Sequence, residues 1–169
     1  MERNRHLNKE ILQEIEELKK ERNALIVAHN YQLPEIQDIA DFVGDSLQLS
    51  CQADRAEKEV ILFCGMKFMA EVAAILSPEK IVLLPDLRSG CPLADTVSAD
   101  DVKRLRKEYP GAGVVCHINS PSAAKAESDI CCTSSNAVEV VNSLSQTEII
   151  FVPDRNLAHY ISGKTRKRI

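Results

Sequence analysis

The sequence repeats itself. Sliding it by 88 positions sets Val27 on Val115, His29 on His117, Asp41 on Asp129, Ser46 on Ser134, Ile61 on Ile149, Phe63 on Phe151 and Ala70 on Ala158. Hydrophobic class is kept at Ile26/Val114 and Leu62/Ile150. Self-similarity at a fixed period means that one supersecondary unit has been copied, which constrains the fold more than any single motif. In a chain of 169 residues this period leaves room for two units of ordinary domain size. The expected organisation is an N-terminal helix over residues 1–22, a first α/β repeat over 23–97 and a second over 98–169.

Each repeat alternates short apolar runs with helical patterns. Leu7, Ile11, Ile15 and Leu18 recur at helical spacing among Glu and Lys, which predicts an amphipathic helix from about residue 7 to 22. The run Ala24 to Ala28 is short and wholly apolar, as expected of a strand covered on both faces of a parallel sheet. Runs of the same type are Val60 to Cys64, Ile81 to Leu84, Gly113 to Ile118 and Ile149 to Val152. Met66, Met69, Val72, Ala73 and Leu76 share one face of a helical pattern that ends before Pro78, and they read as a core stripe rather than a cofactor box. Strands alternating with helices through short links predict an α/β fold: pseudo-symmetric, repeated three-layer αβα domains with short parallel sheets and right-handed crossovers.

Composition narrows the function. With 25 acidic and 21 basic side chains the formal charge is −4, so the broad positive field that nucleic acid or an anionic membrane requires is missing. The one basic run, Lys164 to Arg168, is expected to be a frayed tail. No stretch approaches a membrane span, and the first twenty residues lack the apolar core of a secretory leader, so the expected location is cytoplasmic. In a reducing compartment Cys51, Cys64, Cys91, Cys116, Cys131 and Cys132 read as small core residues or metal ligands before disulfides. Cys64, Cys116, Cys131 and Cys132 stand in or beside apolar runs and are expected in the core. Cys91 stands in the turn-forming segment Arg88-Ser89-Gly90-Cys91-Pro92 and is the candidate metal ligand.

In each repeat a strand ends in a polar cluster, His29-Asn30-Tyr31 or His117-Ile118-Asn119. A serine follows where a helix begins, Ser46 or Ser134. Ligands of parallel sheets bind beyond the carboxyl ends of the strands, which places these clusters at a pocket. A helix N-terminus offers free N–H groups to a carboxylate or phosphate, and the serines suit either helix capping or anion binding. His29 and Tyr31, two residues apart on an extended segment, offer two proton-transfer groups on one face.

These segments resemble a known family. Ala28-His29-Asn30-Tyr31-Gln32 with Pro34 to Asp41 and Val43-Gly44-Asp45-Ser46 is similar to the opening signature of quinolinate synthase. The segments Phe63-Cys64-Gly65-Met66, Phe68-Met69-Ala70-Glu71 and Cys131 to Ala137 are similar as well, and the likeness runs from about residue 24 to 163. The resemblance implies three pseudo-symmetric α/β domains around one central site, in which iminoaspartate and dihydroxyacetone phosphate condense to quinolinate on the way to NAD. L-Aspartate oxidase or aspartate dehydrogenase is the implied source of iminoaspartate. A 4Fe–4S cluster is implied too, held by three cysteines, one per domain, with an open position on the fourth iron.

Carried over by resemblance, Cys91 is the first cluster ligand, and His29 and Tyr31 are the catalytic pair, His29 also touching substrate. Ser46, Asn119 and Ser134 hold carboxylate or phosphate groups. His117 stands among these substrate-binding positions where the family often has Tyr, which brings in a ring that titrates near neutral pH. The repeat puts the next equivalent cysteine at about position 179, beyond Ile169. The expectation is therefore the first two of three domains, without the third repeat and with an incomplete ligand set. The competing expectation is a non-catalytic α/β protein that binds a small dicarboxylate or phosphate, or half of a split enzyme.

Overall fold

A computed structural model describes residues 9–169. The chain divides into two compact units, Met1–Ser89 and Gly90–Ile169. Helix α1 (Lys9–Glu21) is the amphipathic helix read from the sequence; the first eight residues of the expected N-terminal segment lie outside the described residues. It hands over to β1 (Ala24–His29) through Asn23, whose φ of 47° is the left-handed turn that a short amide side chain tolerates at a helix end. Then follow α2 (Pro34–Ile39), β2 (Phe42–Gly44), α3 (Ser46–Arg55), β3 (Val60–Cys64), α4 (Lys67–Leu76) and β4 (Ile81–Leu83). The strands are all parallel in the order β2-β1-β3-β4. Ile26, Ala28 and Cys64 pack against Ile15 and Ile36 on the α1 and α2 side. Val27 and Phe63 alternate with them, fully buried on the opposite face.

The second unit repeats the plan with α5 (Ala99–Glu108), β5 (Gly113–His117), α6 (Ser122–Ala126), β6 (Ile130–Cys132), α7 (Ala137–Ser143), β7 (Ile149–Val152) and α8 (Arg155–Ser162). Its parallel sheet runs β6-β5-β7. Val102, Val114, Cys116 and Ala124 form the core on one face. Val115, Cys132, Ala137, Val141 and Ile161 form it on the other. Each unit is thus a short parallel sheet between two helical layers, the αβα architecture expected of the sequence.

The 88-residue period extends to individual bonds. Asp41 accepts the Ile26 N–H at 2.8 Å and Asp129 accepts the Val114 N–H at 2.7 Å. The Gln37 side chain donates to the Asn30 carbonyl at 3.2 Å, and at the matching position Lys125 donates to the Ile118 carbonyl at 3.0 Å. The Asn30 N–H reaches Gly44, and the Ile118 N–H reaches Cys132. The sequence identities at this offset therefore understate the duplication, because backbone bonds persist where side chains have diverged.

Three expectations are corrected. The basic run at the C-terminus is not frayed: Arg168 forms a parallel bridge with Glu148, donating to the Thr147 carbonyl and accepting from Ile149, and Lys167 donates to the Leu144 carbonyl. Its backbone supplies sheet bonds whatever the side-chain charge. Strands β2 and β6 were not expected, since three-residue edge strands carry too little pattern to read. In α4 the buried face is Phe68, Met69, Ala70 and Ala73, while Leu76 is exposed in the last turn. No described helix is long and apolar enough to cross a membrane.

Lys80 closes the end of α3. Its ammonium donates to the carbonyls of Ala53 and Asp54, both at 2.6 Å, and of Ala56 at 2.7 Å. These are the acceptors that a helix C-terminus leaves without partners. Lys80→Met removes three charge-assisted bonds and is expected to lower stability by about 1–2 kcal/mol in urea unfolding.

Candidate functional site

In the first unit the connections reverse direction around β1, so the crevice lies beyond the carboxyl ends of β1 and β3. His29 closes β1 there. Its Nδ1 accepts the Tyr31 N–H at 3.4 Å, which leaves the proton of a neutral ring on Nε2. Asn30 and Tyr31 form a turn rather than continuing the strand, closed by the Gln32 N–H on the His29 carbonyl at 2.9 Å. The two rings meet all the same, 4.1 Å between centroids and tilted by 34°. The Tyr31 hydroxyl points at the Met69 sulfur, 3.9 Å away. Partial burial holds the His29 pKa below its ordinary value, against an opposing pull from Asp45. At neutral pH the imidazole is therefore uncharged, with a proton to give at Nε2 and a lone pair engaged at Nδ1.

Ser46 begins α3 but does not cap it. Asp45 is the cap, accepting the Gln48 N–H at 2.8 Å while the Gln48 side chain accepts the Asp45 N–H at 3.1 Å. A carboxylate outcompetes a hydroxyl for this place because it also answers the positive end of the helix. The capping alternative for Ser46 is thus overturned. Its half-buried hydroxyl makes no hydrogen bond among the described residues, and the N–H groups of Ser46 and Leu47 are the donors left in that turn.

In the second unit His117 ends β5 and is 8% exposed. Its Nδ1 accepts the Asn119 N–H at 3.1 Å, the bond that Tyr31 makes to His29 one repeat earlier. Nε2 then carries the proton and donates to Ser134 Oγ at 3.0 Å. Ser134 is committed to this bond and does not cap α7; the residue in the cap position is Asn136, whose Oδ1 instead accepts the Thr133 N–H at 2.7 Å. The structure brings His117, Asn119 and Ser134 together in one cluster and His29 with Tyr31 in another. Sequence reading passed over Asp45 and Asp154, the carboxylates acting on the two histidines, and Met69, which meets the Tyr31 hydroxyl. An Asp directly before a helical pattern was the available signal for both acids.

Burial holds the His117 pKa below its ordinary 6.5, with Asp154 opposing and Lys125 adding to the depression. The unfolded chain then takes up a proton at this position before the folded chain does, so stability falls as pH drops from about 6.5 toward the lower folded value. The urea midpoint is expected to fall more between pH 7.5 and 5.5 in the native chain than in His117→Gln. An equal fall in both would show that His117 contributes nothing to the acid sensitivity.

Cys91 lies half-buried in the loop that opens the second unit. Its N–H donates to Asp95 Oδ2 at 2.9 Å and its carbonyl accepts the Asp95 N–H at 2.8 Å, so the backbone around the thiol is fixed. Among the described residues no group of three or more His, Cys, Asp or Glu could hold a metal. An iron–sulfur cluster needs several thiolates. The described residues therefore do not by themselves fit one. Cys64, Cys116 and Cys132 are buried as expected, but Cys131 is exposed, because β6 is an edge strand.

The comparison with known proteins decides the family. The profile of the family described as quinolinate synthetase A protein matches residues 13–169. The chain belongs to the quinolinate synthetase A family. Quinolinate synthase 1 of Methanosarcina acetivorans is 58% identical over 160 residues, covering 95% of this chain and 53% of that protein. A quinolinate synthase of Dehalococcoides mccartyi is 57% identical over 159 residues, 94% of this chain and 53% of its own length. One from Clostridium perfringens is 57% identical over 156 residues, with 92% and 52% covered. The chain spans about half the length of the curated relatives it matches.

Proposed function

We propose that this chain supplies two of the ligand-binding strand ends of a quinolinate synthase, acting in the cytoplasm on iminoaspartate and dihydroxyacetone phosphate. The observation that carries the reading is the duplicated strand end: in each repeat a histidine is pinned through Nδ1 by the N–H two residues on, and Nε2 is left as the proton donor. His29 and Tyr31 move protons during condensation and dehydration, steps that require removing and returning protons at carbon and oxygen. The hydroxyls of Ser46 and Ser134 and the Asn119 amide bind carboxylate or phosphate oxygens, with His117 orienting Ser134. Cys91 is assigned as one ligand of the family's 4Fe–4S cluster. The reaction is a transferase-type condensation with loss of phosphate and of two waters, and L-aspartate oxidase or aspartate dehydrogenase would supply the imine.

A second reading is a two-repeat protein that binds a small dicarboxylate or phosphate without turnover, supported by the half-buried Ser46 hydroxyl and the Ser46 and Leu47 N–H groups left as donors at the start of α3. One assay separates them. The chain is mixed with the C-terminal half of the Methanosarcina relative, reconstituted anaerobically with iron and sulfide, and assayed for quinolinate. Product from the mixture and none above background from the chain alone supports the synthase reading. A mixture that binds quinolinate but makes none leaves the binding reading.

A further inference from the structure

Cys116 and Cys131 are Cα partners across β5 and β6. Register partners leave a sheet on the same face. Cys116 packs with Val102, Val114 and Ala124, while Cys132 packs with Val115 and Val141 on the opposite side. Alternation along β6 therefore turns Cys131 toward Cys116 and Cys132 away from both. The Cys116 thiol donates to the His117 carbonyl at 3.5 Å, so its sulfur is held at the β5 end beside the facing Cys131. Neighbouring strands run about 4.8 Å apart, inside the range of about 4.4–6.8 Å between Cα atoms that a disulfide spans. Cys116 is fully buried and Cys131 is exposed, so Cys131 is the member of the pair that solutes reach.

We propose that Cys116 and Cys131 form a reversible disulfide site that is oxidised by a low-molecular-weight disulfide of the glutathione type. Cys131, the thiol that solutes reach, gives up its proton and attacks one sulfur of oxidised glutathione, whose S–S bond breaks and releases one glutathione thiol. The Cys116 thiolate then attacks Cys131 Sγ and expels the second. Two protein S–H bonds are lost and one S–S bond forms; the protein gives up two electrons, and the two protons end on the two glutathione thiols. Cys131 draws Cys116 toward the thiolate against burial, helped by the Ser120 and Ser128 hydroxyls and the Lys125 charge, while Cys116 and burial push the Cys131 thiol up, so attack by Cys131 is the slow step and resolution by Cys116 the fast one. The disulfide would stand one residue before His117 and three before Ser134, tying together the two strand ends whose side chains meet at 3.0 Å.

The test treats the full chain with oxidised glutathione, traps free thiols by alkylation and maps them by mass spectrometry. The expected result is loss of two of the six alkylatable thiols and a link between tryptic peptides 108–125 and 126–155, reversed by dithiothreitol. The link persists in Cys132→Ser and disappears in Cys131→Ser. A Cys131 that stops at a glutathione adduct while Cys116 stays alkylatable overturns the proposal in the native chain, whatever the variants do. A link that survives Cys131→Ser overturns it as well.

Discussion

His29→Ala is expected to lower kcat by about 10²- to 10⁴-fold in the mixture proposed to form quinolinate, the range that a positioned proton-transfer group supplies. The size of the effect follows from how the ring is held. Nδ1 is occupied by the Tyr31 N–H, the Tyr31 ring lies 4.1 Å away, and burial keeps the imidazole neutral near pH 7. A neutral ring with a fixed Nε2 proton can donate to an oxygen and take the proton back without first shedding a charge. Tyr31→Phe keeps the stacked ring and the backbone bond but removes the hydroxyl, so it is expected to lower kcat while leaving the circular dichroism spectrum and the urea midpoint unchanged. Unaltered kcat in both variants, with stability intact, would remove the pair from the chemistry.

Asp129→Ala destabilises the second unit by about 2–3 kcal/mol, read as a lowered urea midpoint. The carboxylate accepts the N–H of Val114, a residue with no exposed surface, and pairs with Arg106 at 2.7 Å. Removing it leaves a buried N–H without a partner, and that desolvation dominates the loss. Asp129→Asn keeps an acceptor for Val114 and gives up only the charge, so about 1 kcal/mol is expected, in line with a partly exposed ion pair. Burial by itself would raise the Asp129 pKa, but the bonds from Arg106 and Val114 outweigh it and hold the group below its ordinary 3.8. Its stabilisation is therefore complete above about pH 4 and is lost as pH falls through the lower folded value. Equal midpoints for Asp129→Ala and the native chain would show that the duplicated bond is dispensable.

The duplication was legible because it rests on features that sequence carries directly. Strand runs such as Val60 to Cys64 are buried on both faces and so contain almost nothing polar, and Asp41 and Asp129 are retained because each answers a backbone N–H. The edge strands β2 and β6 were not legible, since pairing along one side only leaves a three-residue strand free to take Phe42, Gly44 or Cys131 alike. The positions of His29, Tyr31, His117 and Ser134 could be placed at strand ends and helix starts from sequence. Which partner each would choose could not: Ser134 reads as a helix cap until His117, seventeen positions earlier in the chain, is seen to take its hydroxyl. Cys131 shows the same limit, because an apolar neighbourhood in sequence does not reveal that a strand lies at the edge of its sheet.

The claim that ligand meets this chain at the carboxyl ends of β1 and β5 is tested most directly by titrating quinolinate into the isotopically labelled full chain and following the amide and imidazole resonances. The account predicts saturable shifts at His29 and Tyr31, at Ser46 and Leu47, and at His117, Asn119 and Ser134, with affinity lowered at least about tenfold by Ser134→Ala, the loss of one charge-assisted bond. Shifts confined to the basic run Lys164 to Arg168, or affinity unchanged by Ser134→Ala, would contradict it.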